Sequence, residues 1–152
     1  MEAIFNMNIK YIAIEGNAEN KEEAIKLCGK ALIKEGVIGE SFIENCITRE
    51  LEYPTGLPTE IPVAIPHCKD DSVIENSVCF LRLEKPVMFY RMDDDQEYIE
   101  TDMIFNLAIA GSGEHIDALG NLMRFIGDSK SIEVCRELDI KDIPKYLEEK
   151  LG

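Results

Sequence analysis

Residues 101–110 read TDMIFNLAIA. This run is apolar enough to form a central strand covered on both faces, which only a layered fold with helices on each side of a sheet provides. Downstream, Gly111 and Gly113 break the strand. From Ser112 or Gly113 the spacing predicts an amphipathic helix with Ile116, Leu119, Leu122, Met123 and Ile126 on its apolar stripe and Gly127 at its end. Two helical pieces follow, over 131–138 and 143–151, with Pro144 tolerated in a first turn.

Upstream, Asp93, Asp94 and Asp95 predict an exposed turn. Before them come two strands, 77–83 and 87–90, separated by a Lys85-Pro86 turn. Over residues 53–66, Pro54, Pro58, Pro62, Pro66 and Gly56 exclude a helix and predict an extended loop entering a short strand at 63–65. The N-terminal part opens with a strand over 9–14. Ile9, Tyr11 and Ala13 share one face and Ile12 and Ile14 the other, so both faces are largely apolar. Asn20 is placed to cap a helix with Glu22 and Glu23 in its first turn, where the helix dipole favours anions. Ala24, Ile25, Cys28, Ala31 and Leu32 fall on one side of that helix, and Gly36 ends it. Ser41 is read as the cap of a second, shorter helix carrying Phe42, Ile43, Cys46 and Ile47. The irregular alternation of helices and strands predicts an α/β fold, a three-layer sandwich with a mixed β-sheet flanked by helices. The whole of residues 1–152 reads as one domain, without repeats or linkers.

The chain has 152 residues, 45% of them apolar, and a net charge of −14. That charge repels nucleic acid and anionic lipid, so neither is an expected partner. No apolar run is long enough to cross a bilayer, and the N-terminus lacks the basic-then-apolar pattern of an export signal, so a cytoplasmic location is expected. The five cysteines have irregular spacing and no CxxC pair, which fits free thiols in a reducing compartment. Cys28, Cys79 and Cys135, set among apolar neighbours, read as small core residues.

The chemistry centres on two histidines. His67 ends the run Val63-Ala64-Ile65-Pro66-His67, where a proline stiffens the approach to one imidazole. His115 follows Gly111-Ser112-Gly113-Glu114 near a helix N-terminus, where backbone N–H groups favour an anion. Arg49-Glu50, then Tyr53-Pro54-Thr55-Gly56-Leu57-Pro58, then the run ending in His67, then Glu114-His115 together resemble the enzyme IIA family of fructose, mannitol and galactitol phosphotransferase systems. The Tyr-Pro-Thr-Gly start and Cys68 look most like the galactitol branch.

The resemblance implies a phosphohistidine relay. The carrier protein HPr is expected to donate a phosphoryl group to His67, which passes it to a cysteine of enzyme IIB, while the membrane component IIC moves the sugar. His115 and Arg49 are then expected to line the active site. Their chemistry suits that role, because phosphoryl transfer needs an in-line nucleophile and donors for the equatorial oxygens. A ring N–H and a planar guanidinium supply such donors. Thr55 offers a hydroxyl and is a further phosphate-binding candidate. Neither a metal nor another cofactor is expected, and no P-loop is present. Leu57, Pro58 and Ile61 are candidates for contact with partner proteins or for ordinary loop packing.

Other readings of the same residues are weaker. Neighbours on an extended chain point to opposite faces, which disfavours a Cys68 nucleophile activated by His67. A zinc site at His67 and Cys68 lacks further ligands, and the aspartate run lacks the spacing of a calcium loop. Glu114 either orients His115 or faces water, and Arg49 could cap a helix C-terminus instead of serving a site. The functional alternative is a regulatory protein of the same fold whose His67 phosphorylation state is sensed by a partner.

Overall fold

A computed structural model describes residues 9–110 and 114–152, and for residues 114–116 the backbone alone. The described chain forms a six-stranded mixed sheet with helices on both faces, as the sequence predicts. The strands are β1 (Lys10–Gly16), β2 (Gly56–Leu57), β3 (Val63–Ala64), β4 (His67–Cys68), β5 (Ser77–Tyr90) and β6 (Tyr98–Ala108). The helices are α1 (Lys21–Lys34), α2 (Ser41–Glu52), α3 (Glu114–Ile126), α4 (Ser129–Glu137) and α5 (Ile143–Leu151), with a 3₁₀ turn at Ile140–Asp142. None of the described helices is long and apolar enough to cross a membrane.

Strand β6 lies inside the sheet, antiparallel to β5 and parallel to β3 and β4. Its residues alternate between two cores: Met103, Phe105 and Leu107 enter one, Ile104 and Ala108 the other. Strand β1 runs parallel to β5 at the edge of the strand order. Its side chains divide as the alternation requires, with Ile9, Tyr11 and Ala13 on the face covered by α3–α5, and Ile12 and Ile14 on the face covered by α1 and α2.

The helix ends follow local chemistry. The Asn20 side chain accepts the Glu23 N–H at 2.9 Å, and Gly36 takes φ +75° just past α1, a conformation that costs glycine little. Ser41 does not cap α2. The cap position is Glu40, which makes no side-chain cap bond, and the Ser41 hydroxyl donates to Asp70 at 2.8 Å. The expected turn at Lys85-Pro86 is also replaced: β5 continues through it, with its register against β6 shifting between Arg82 and Val87. A bulge absorbs the proline there without ending the strand. Inside this irregular stretch, Arg82 donates from Nη1 to the carbonyls of Cys135 (2.9 Å), Arg136 (3.2 Å) and Leu138 (2.7 Å), closing the C-terminal end of α4. The turn at Asp93–Asp95 is exposed as expected, and Cys28, Cys79 and Cys135 are fully buried. The expectations for Gly111, Ser112, Gly113 and the Ile116 side chain lie outside the described residues.

Candidate active site

Strands β3 and β4 are two halves of one extended segment interrupted at Ile65-Pro66. Ala64 pairs Ile104 and His67 pairs Leu107, both parallel to β6. Strand β2 flanks only the first half, through Gly56 and Leu57. The segment therefore loses its outer neighbour just where His67 begins, and a cleft opens there. The cleft has a volume of about 500 Å³ and is lined by Asn45, Thr48, Arg49, Glu52 and Tyr53 of α2 and its end, by His67, Cys68 and Lys69, and by Leu107, Ile109 and Leu119. An adjoining depression of about 700 Å³ shares Arg49, Glu52, Tyr53, His67 and Leu119 and extends to Met92 and Asp93–Asp95.

His67 is half-buried, and its Nδ1 lies 2.8 Å from the Ile65 carbonyl oxygen. A carbonyl only accepts, so Nδ1 carries the proton and the lone pair of the neutral ring sits on Nε2. The ring is thus held in one tautomer by its own strand. Proline favours this contact by fixing φ at residue 66, which restricts the backbone between the carbonyl and the ring. The Pro66 carbonyl in turn accepts the Leu107 N–H at 3.0 Å, which fixes the segment to β6.

Arg49 lines the same cleft as His67. Its guanidinium stacks over the Tyr53 ring, 4.3 Å from the centroid. Such stacking leaves the edge of the guanidinium fork open for hydrogen bonding to an oxyanion. Lys69 adds a second cation to the lining. The cleft therefore carries local positive charge in a chain whose total is −14. Asp70 anchors the segment after His67 to α2, accepting from the Ser41 hydroxyl at 2.8 Å and from the Asn45 amide.

His115 is the second residue of α3, and its side chain lies outside the described residues, as does that of Glu114. Leu119, one turn further along α3, lines the cleft. Thr55 is not brought to the cleft. It is 2% exposed, and its hydroxyl donates to Glu50 Oε1 at 2.7 Å while its N–H donates to Glu50 Oε2 at 2.8 Å. The only proton of the hydroxyl is committed to a buried carboxylate, so Thr55 has none to offer a phosphate. Leu57 is buried in the core and Ile61 packs against it, which is the loop-packing alternative for both. Pro58 is exposed. Cys68 reaches back toward α2, its thiol 3.8 Å from the Phe42 carbonyl. The neighbouring Cys68 thiol and burial together push the Cys46 thiol well above its usual range. Among the described residues no group of three or more metal-ligating side chains occurs.

Two lining residues carry no signal in sequence: Asn45 and Thr48 come to the site only because α2 ends beside β4. Lys69 stands two residues after His67 and could have been found by that proximity.

Residues 6–150 match the family described as phosphoenolpyruvate-dependent sugar phosphotransferase system, EIIA 2. The chain belongs to this family. A mannitol-specific EIICBA component from Buchnera aphidicola (subspecies Acyrthosiphon pisum) is 31% identical over 135 residues, covering 87% of this chain. This chain spans only 20% of that relative's length. A galactitol-specific EIIA component of Escherichia coli K12 is 23% identical over 128 residues, covering 84% of this chain and 85% of its own. Among solved structures, the complex of enzyme IIA and phosphorylated enzyme IIB of the Escherichia coli mannitol system aligns with a TM-score of 0.73 at 24% identity, covering 92% of this chain and 94% of that one. The EIIA 2 chain thus shares its fold with the IIA proteins, and its relatives serve mannitol and galactitol systems.

Proposed function

We propose that this chain is a phosphocarrier of a sugar phosphotransferase system: Nε2 of His67 takes a phosphoryl group from phosphorylated HPr and hands it to a cysteine of an enzyme IIB. The observation that carries the reading is the Nδ1 contact to the Ile65 carbonyl, which leaves Nε2 as the nucleophilic atom of a histidine in a cleft with Arg49. In the forward step the Nε2 lone pair attacks phosphorus in line as the P–N bond to the HPr histidine breaks. The Ile65 carbonyl, facing the Nδ1 proton, stabilises the positive charge that develops on the ring. The Arg49 fork meets the equatorial oxygens, and Lys69 adds to the local positive potential. His115, at the second position of α3, is the further donor that the family resemblance supplies. No cofactor is needed, since the donor is itself an activated phosphoramidate. The membrane component IIC enters only downstream, as the route of the sugar. A cytoplasmic location follows from partners of this kind.

Intact-mass analysis after mixing with phosphorylated HPr tests the reading. One acid-labile phosphoryl group on the wild type and none on His67→Ala is expected. Arg49→Gln should slow its acquisition on the order of 10²-fold, the usual loss for one oxyanion donor. An unmodified wild type in the presence of active HPr sinks the carrier role and favours the regulatory alternative.

A further inference from the structure

The carboxylate of Glu50 lies outside the cleft lining, yet it is connected to His67 by a continuous path. Glu50 is 2% exposed and accepts both the hydroxyl and the N–H of Thr55, at 2.7 and 2.8 Å. The Thr55 carbonyl accepts the Ile65 N–H at 3.3 Å. The Ile65 carbonyl then faces Nδ1 of His67 at 2.8 Å. Thr55 and Ile65 are each bonded through groups on both sides of their Cα, so the orientation of the last carbonyl is linked to the first carboxylate. Glu50 is also the neighbour of Arg49 on α2. This path joins the helix bearing the cation to the strand bearing the nucleophile ahead of His67, as the Asp70 bonds to Ser41 and Asn45 join them after it. A buried carboxylate is costly to keep in place, and burial pushes its pKa up to about 7 despite the two Thr55 bonds. A buried apolar side chain in its place would carry no such cost.

We infer that Glu50 is a positioning residue of the phosphoryl-transfer site, setting the His67 ring relative to Arg49 through Thr55 and the Ile65 carbonyl. Its tautomer readout is independent of activity, although the kinetic part rests on the carrier reading above. Glu50 touches neither phosphate nor partner. It acts by keeping Nδ1 protonated and Nε2 aimed into the cleft, so its removal lowers the rate at saturating donor and leaves donor binding alone.

The test compares wild type, Glu50→Gln, Thr55→Val and Thr55→Ser. Two readouts are used: the imidazole nitrogen NMR signature of His67, and the rate of phosphorylation by phosphorylated HPr across donor concentrations. Thr55→Val and Glu50→Gln should lower the saturating rate on the order of 10-fold at unchanged half-saturating HPr. They should also convert His67 from one Nδ1–H tautomer to a mixture. Thr55→Ser, which keeps the hydroxyl, should restore both. Folded variants with the wild-type tautomer and rate overturn the inference, as does a loss that Thr55→Ser fails to rescue. Should Thr55→Val and Glu50→Gln not fold, Glu50→Asp, which keeps the charge and shortens the reach, decides by the same two readouts. If wild type takes no phosphoryl group, the carrier reading fails, and the tautomer comparison alone decides the role of Glu50.

Discussion

The two helical layers bury different chemistry. Beneath α3–α5 the core is built on rings: Phe80 and Phe105 lie 5.0 Å apart between centroids, Phe105 and Phe125 6.2 Å, and Phe125 and Tyr146 6.1 Å. Beneath α1 and α2 the core holds Cys28, Cys46 and Cys79 and the fully buried Asn106, whose amide donates to the Cys46 thiol at 3.4 Å. The Glu50 carboxylate lies on this side as well, on α2. The aromatic series of the first layer is held by non-directional contacts, which stabilise without fixing atoms to tenths of an ångström, and the directional bonds of Arg82 lie at its rim. The second spends stability on directional bonds, and it is the layer whose helix carries Arg49. The difference teaches that precision at His67 reaches it from the α2 side of the sheet, while apolar cores on both sides supply the adhesion.

The largest effect expected from this contrast is on stability alone. Phe105→Ala removes the ring at the middle of the aromatic series and should cost about 3–5 kcal/mol, read as a lower urea midpoint at unchanged slope. The folded fraction should still acquire the phosphoryl group at the wild-type rate. A slowed transfer in folded protein would break the comparison, by showing that the aromatic layer also positions the site.

The next effect is smaller and depends on pH. Glu50 has a pKa of about 7 in the folded chain, raised mainly by burial, with Glu22 adding to the rise and the Thr55 bonds and Lys21 opposing it. Its ordinary value is 4.5. Below the ordinary value both folded and unfolded states are protonated and burial costs little. Between 4.5 and 7 the unfolded state is ionised while the folded state keeps its proton, so the contribution to stability falls as pH rises and is fully lost above the folded value. Relative to Glu50→Gln, wild type should therefore lose about 3 kcal/mol between the two limits. Denaturant titrations of both proteins at several pH values check it; parallel curves would mean that the carboxylate is not burdened by burial.

Much of this contrast was legible in the chain. The 101–110 run and the alternation in the first strand both announce a sheet covered on each face, because burial on two sides demands apolar residues at both parities. That His67 and Arg49 belong together was legible because the Ala-Ile-Pro-His run and the Arg-Glu pair carry a family pattern, and the fold brings both to one cleft. Thr55 was misplaced for a physical reason: a hydroxyl next to a glycine-containing loop looks like a free donor until its acceptor is known, and Glu50, five residues earlier, is brought to it only by the end of α2. The bulge in β5 was equally hidden. A Lys-Pro pair reads as a turn unless a neighbouring strand continues alongside it, as β6 does.

The junction between the layers gives a third, smaller effect. At Gly56 an added Cβ would lie 2.6 Å from the Tyr90 carbonyl oxygen and 2.9 Å from Ile99 Cγ1. The Gly56 carbonyl accepts the Met92 N–H at 2.8 Å, so the loop bearing Thr55 leans directly on the β5–β6 hairpin. Gly56→Ala should cost about 2 kcal/mol by overpacking and should also disturb the His67 tautomer, since Thr55 moves with its neighbour. A loss of stability with an undisturbed tautomer would uncouple the loop from the site.

The smallest effect returns to the adhesive layer. Tyr11 lies in the aromatic-side core, 9% exposed, and its hydroxyl is buried without a hydrogen-bond partner among the described residues. Burial, helped by Glu148, pushes its pKa up to about 12, so it stays a neutral phenol. The void beside it, about 10 Å³ and lined by Ile9, Val78, Leu107, Leu122 and the polar Asn121 among others, is at the lower limit for one water molecule. If the hydroxyl is unpaired, Tyr11→Phe removes the desolvation cost and should stabilise the fold by about 1 kcal/mol, a rise of roughly 2–4 °C in Tm. A fall of similar size would show that the hydroxyl has a partner, a water in that void being the nearest source. In that case the aromatic layer, too, holds a directional bond, and the division of labour between the two layers is narrower than the rings suggest.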